Sequence, residues 1–138
     1  MTLQQIALVQ ESWNRVLALS DAAAQLFYAR LFALDPSLAP MFHGDMREQG
    51  RKLVAMIGVA VQGLARIETL APVIEALGRR HAGYGVRDHH YATVAEALLW
   101  TLEQALGKAF TAETKEAWTV AYGLLATTMR GAAQARAA

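Results

Sequence analysis

The chain contains no cysteine among its 138 residues. That excludes disulfide staples, a thiolate nucleophile and any cysteine-based metal centre. Proline is scarce, with 3 residues, and glycine amounts to 10, which leaves little material for the tight turns of β-hairpins. No apolar run reaches the length needed to cross a bilayer. The amino terminus carries Gln4, Gln5 and Glu11 inside an amphipathic pattern and does not read as a secretory signal. Neither sign of charge dominates, the formal net being +1. A concentrated basic field for nucleic acid or a membrane surface is therefore not expected. Nor is there a GxGxxG turn for a flavin or nicotinamide cofactor, and no Asp or Glu follows Glu116. Together these features are expected of a cytoplasmic protein with neither a nucleic-acid nor a membrane partner.

What remains is abundant Ala and Leu, with 54% hydrophobic residues. The length suits one domain, residues 1–138, and the composition favours helices around a deep core or cavity. Thr2 to Gln5 fits a capping box, and Ile6, Val9, Trp13, Val16 and Leu17 trace a first helix to about Leu19. Ser20 and Asp21 are expected to cap a second helix from about Ala22 to Leu34. Pro36 opens a short helical corner that ends near Phe42. A long helix follows from about Met46 to Ala65, another begins near Thr69, and Asp88 caps one running to Leu106, with Gly107 as its stop. Thr111 caps the last helix, and residues 131–138 are expected to fray. The count is about seven helices, an all-α fold with pairwise crossings around a central pocket.

The stretch Leu70 to Val86, LAPVIEALGRRHAGYGV, interrupts this pattern. Leu70, Val73, Ile74 and Leu77 share one helix face, and the next positions on it are His81 and Tyr84. An imidazole where the pattern asks for an aliphatic side chain can be a metal ligand, a buried base or a hydrogen-bonded core residue. Gln49 and Tyr28 intrude in the same way on two other faces. Each can be core filler whose polar tip finds a backbone partner. Three intrusions on separate helices, beside an aromatic residue at a proline-opened corner, point to one interior site.

Several segments carry a family likeness. FYARLFALDPSLAPMF, residues 27–42, LGRRHAGYGV, residues 77–86, and KAFTAETKEAWTVAYG, residues 108–123, resemble globin segments in order and spacing. The likeness covers roughly residues 3–130 and is nearest to single-domain bacterial haemoglobins and neuroglobin-like globins. It implies a globin fold around a haem pocket, with heme b (iron protoporphyrin IX) as cofactor and His81 as the proximal iron ligand. By the same resemblance Phe42 stacks on the porphyrin, and Tyr28 and Gln49 are the distal polar groups that donate to bound O2. Leu53, Leu77, Val86, Tyr91 and Val94 line the pocket. Lys52 either meets a haem propionate or is a solvated surface lysine.

The resemblance implies reversible binding of O2, with CO and NO as further ligands. Glutamine is a poor haem-iron ligand, so Gln49 implies a five-coordinate ferrous state. Two alternatives stand beside this: a nitric oxide dioxygenase served by a separate reductase, and a gas sensor read by a partner. In flavohaemoglobins a tyrosine and a late carboxylate both touch the proximal histidine. Tyr91 matches the tyrosine, whereas the carboxylate position falls near Ala132 and Ala133. Arg79, Arg80 and Arg87 form a small basic cluster, a docking surface or simply a solvated face. His43, His89 and His90 are expected on the surface.

Overall fold

The computed structural model describes residues 1–137. Six α-helices run Leu3–Leu17 (α1), Ser20–Leu34 (α2), Met46–Gln62 (α3), Ile67–Gly83 (α4), Asp88–Leu106 (α5) and Ala112–Ala137 (α6). A 3-10 helix, Pro36–Met41, forms the corner after α2 and completes the expected seven. Two single 3-10 turns, Leu64–Arg66 and Gly107–Ala109, precede α4 and α6. No strand occurs among the described residues. No single helix is long and apolar enough to cross a membrane.

The helix starts show how local chemistry sets the architecture. The Thr2 hydroxyl accepts the Gln5 amide N–H at 3.0 Å and the Gln5 side chain accepts that of Thr2 at 3.0 Å, closing the capping box. Asp35 and Asp45 do the same work at the corner and at α3, each accepting a backbone N–H two residues on. The Thr111 hydroxyl accepts the Thr114 N–H at the start of α6.

Two expected caps are corrected. Ser20 is the first residue of α2, and Leu19 precedes it without a side-chain cap. Asp88 lies inside the first turn of α5, where its charge faces the helix dipole. A different side chain acts at this helix start: the His90 ring Nδ1 accepts the Arg87 N–H at 2.9 Å. The long third helix ends at Gln62 rather than Ala65, because the chain bends by 53° between α3 and the segment Leu64–Gly83. Helix α6 runs past Gly131 to Ala137. One glycine costs a helix only about 1 kcal/mol, and the alanines around it favour continuation. Ala138 lies outside the described residues.

Helices α1 and α2 meet at 103°, so the chain wraps instead of running up and down. The main crossings are α4 on α6, α2 on α5, α1 on α6 and α2 on α3. The largest buried cluster joins Val9, Trp13, Val16, Val61, Leu102, Ala117 and Trp118. One of its two indoles is paired: the Trp118 N–H donates to the Ser12 hydroxyl at 2.8 Å, and that hydroxyl donates to the Leu8 carbonyl at 2.6 Å, whereas the Trp13 N–H is buried without a partner among the described residues. This base leaves the far ends of α2 to α5 free to build a site.

Candidate haem and gas-ligand site

The proximal side begins with a helix stop. Gly85 has φ +91°, a conformation open to glycine at little cost. From there the Gly85 N–H reaches the Ala82 carbonyl at 3.1 Å and the Val86 N–H reaches the His81 carbonyl at 3.1 Å. This is the paired 5→2 and 6→1 closure of a Schellman motif, and it places His81 in the last turn of α4. The His81 side chain is fixed from the other direction. Its Nδ1 lies 2.8 Å from the Leu77 carbonyl oxygen. A carbonyl only accepts, so Nδ1 carries the proton and Nε2 is left as the basic nitrogen. Burial lowers the His81 pKa, and the Leu77 bond opposes that shift. The ring is therefore a neutral donor with one free lone pair, held at two points.

The inner face of α4 differs from the one periodicity suggests. Leu70 and Ile74 are buried, Leu77 and His81 are half-buried, but Val73 is 43% exposed and Tyr84 is 67% exposed. Gly78 takes the buried position instead. A Cβ there would collide with the backbone of Met129 on α6, lying 2.6 Å from its Cα. The two helices touch backbone to backbone one turn before the histidine.

The distal side is built on α2, the proline corner and α3. Tyr28 is 7% exposed and sits among three phenylalanines. Its ring centroid lies 5.2 Å from Phe27, 5.3 Å from Phe42 and 5.9 Å from Phe32. Phe32 and Phe42 also meet edge to face at 5.4 Å. Burial pushes the Tyr28 phenol up to about 12, and the nearby Gln49 side chain works against that rise. The close crossing of α2 and α3 brings these two together. A Cβ on Gly50 would stand 3.0 Å from the Ala24 Cβ, so a side chain there would push the two helices apart by a few tenths of an ångström. Gln49 is the neighbour of Gly50, and Tyr28 lies one turn beyond Ala24.

Between these elements the apolar side chains are incompletely covered. Leu31, Leu38 and Ala97 are buried, whereas Phe42, Leu53, Val94 and Leu98 packed against them remain half-buried, as do Leu77 and Val86. A flat apolar group with one axial nitrogen ligand suits such a surface, so the residues present fit haem. His81 would hold the iron, and Phe42, Leu53 and Val94 would contact the macrocycle. Lys52 is exposed on α3.

Tyr91 is buried on α5, its pKa raised first by burial. Its backbone carbonyl accepts the Tyr122 hydroxyl at 2.6 Å, and the Arg130 guanidinium lies 5.8 Å from its ring centroid. Phe32 and Arg130 had no role in the sequence reading. Phe32 was within reach of it, lying four residues after Tyr28 on the same helix face.

The globin family model matches residues 25–129. The chain belongs to the globin family. Membership implies a haem cofactor and diatomic gas ligands, and the helical architecture agrees. A solved bacterial globin from Campylobacter jejuni superposes with a TM-score of 0.84 at 25% identity, covering 96% of each chain. The neuroglobin of Tetraodon nigroviridis is 30% identical over 136 residues, which is 88% of this chain and 86% of that one. A flavohemoprotein of Bordetella parapertussis is 33% identical over 114 residues, or 80% of this chain. The globin spans only 28% of the length of that flavohemoprotein.

Proposed function

We propose that this globin binds O2 reversibly at a five-coordinate ferrous haem b, with Tyr28 and Gln49 stabilising the ligand. Haem iron supplies the coordination position for the gas, and CO and NO are further ligands of the same position. The chain has no cysteine for thioether attachment, which favours a non-covalently held haem. His81 ligates through Nε2, because Nδ1 is committed to Leu77. Lys52, exposed on α3, would be the residue to meet a haem propionate.

The observation that carries the reading is the buried Tyr28 phenol with the half-buried Gln49 side chain beside it. Dioxygen in this position draws charge onto its outer atom. A phenol that stays protonated to about pH 12 and a carboxamide N–H can both donate to it. A hydrogen bond to a charged acceptor contributes about 1.5–3 kcal/mol, or roughly ten- to a hundredfold in residence time. Carbon monoxide accumulates less charge and gains less. Replacing Tyr28 with Phe tests the reading: stopped-flow O2 release accelerates by about tenfold or more, while an unchanged rate contradicts the assigned donor.

Likeness to the flavohemoprotein favours a second reading, oxidation of nitric oxide to nitrate with electrons from a separate reductase. Against it, no carboxylate follows Glu116 on α6, and the group over Tyr91 is the cation of Arg130. Nitrate formed many times per haem with a cellular reductant present supports this second reading. A single turnover per haem leaves the binding protein.

A further inference from the structure

The haem site uses one of the four histidines. Of the others, His43 and His89 are exposed as expected, but His90 is 5% exposed and its expected surface position is corrected. His89 and His90 occupy the first turn of α5, with ring centroids 4.1 Å apart. Asp35, the residue between α2 and the proline corner, faces them. One donor atom from each of Asp35, His89 and His90 lies within 4.8 Å of the others. We propose that these three side chains form a binding site for a borderline divalent transition metal, zinc above all, separate from the haem.

Two imidazoles and a carboxylate are a donor set suited to zinc, with the fourth position left to water. Ligand atoms around tetrahedral zinc stand roughly 3.3–3.5 Å apart, from bond lengths of about 2.0–2.2 Å. The triad must close by at most about 1.5 Å, and the exposed His89 side chain can make that movement. The carboxylate is held in place: Asp35 Oδ1 accepts both the Ser37 N–H at 3.1 Å and the Ser37 hydroxyl at 2.6 Å. Such outer partners orient a ligating carboxylate, and Oδ2 remains for the metal. The Ser37 bonds lower the Asp35 pKa, and burial lowers that of His90.

The site has a built-in cost. His90 Nδ1 accepts the Arg87 N–H at 2.9 Å. A metal on Nδ1 takes that lone pair, and a metal on Nε2 moves the proton to Nδ1. In either case the Arg87 N–H is released. The positive end of the α5 dipole further opposes a cation, which makes this a moderate rather than a tight site. Arg87 directly follows Val86, whose N–H holds the His81 carbonyl.

Zinc calorimetry tests the proposal on untagged, haem-loaded protein in its ferrous carbonyl form, where CO blocks the iron. The expected result is one zinc ion per chain. His89→Gln and Asp35→Asn each weaken binding by about tenfold or more, while Ser37→Ala weakens it by roughly tenfold. Each variant keeps the wild-type Soret band and melting temperature, and His43→Gln binds as wild type. In the same diamagnetic form, NMR registers a zinc-dependent shift of the Arg87 amide. A lack of saturable binding, or binding that survives in His89→Gln and disappears in His43→Gln, overturns the proposal.

Discussion

Gly78 of α4 lies directly against the backbone of Met129 on α6, with no room between them for a methyl group. This contact fixes the depth of α4 one turn before His81, so it couples core packing to the proposed iron ligand. Gly78→Ala forces the helices apart. Overpacking of this kind destabilises by about 1–3 kcal/mol, readable as a lower chemical-denaturation midpoint. Because the displaced element carries His81, haem dissociation also accelerates. Wild-type stability and haem retention in this variant would show that α4 moves freely over α6.

Gly85 supplies the left-handed turn that lets Val86 bond the His81 carbonyl. An alanine there pays about 1–2 kcal/mol for the same conformation. Gly85→Ala is expected to lower stability by that amount and to broaden the proximal geometry. Resonance Raman of the ferrous protein reports the latter through the iron–histidine stretch. An unchanged stretch and stability would remove the helix stop from the account.

Burial holds the Tyr28 phenol at about 12, against 10.0 when exposed. The folded state therefore favours the neutral form. That contribution is complete below pH 10 and is lost as pH rises from about 10 to about 12. Wild-type protein should lose stability across this interval more steeply than Tyr28→Phe. Burial also raises the Tyr122 pKa, and that contribution is common to both proteins. Parallel pH profiles would mean that Tyr28 is open to water.

Ser12 and Trp118 join α1 to α6 inside the largest core cluster. Ser12→Ala leaves the indole N–H buried and unpaired, at a cost of about 1–3 kcal/mol. The melting temperature falls, while O2 release and the Soret band stay as in the wild type, since the pair lies in the base of the fold. A change in the gas kinetics would contradict that separation of scaffold from site.

Where residues break a pattern, the sequence marked candidates for a site; where they complete one silently, it did not. His81, Gln49 and Tyr28 were legible because each puts a polar group on an apolar stripe, and the corner was legible from Pro36. The inner face of α4 was misread at Val73 because hydropathy credits a valine with burial and a glycine with nothing. Gly78 is buried because α6 approaches too closely for any side chain. His90 was misplaced because a polar residue at a helix start reads as solvated, whereas its ring serves as the cap for the Arg87 N–H. Tyr84 follows the same helical period as His81, but Gly83 and Gly85 end the helix and turn it outward.

Haemin titration of the wild type and of His81→Gly tests the central claim most directly. The account predicts one haem per chain with a five-coordinate ferrous spectrum in the wild type. In His81→Gly the proximal spectral signature disappears and added imidazole restores it. A glycine variant with the wild-type Soret band and no response to imidazole would contradict His81 as the iron ligand, and with it the site described above.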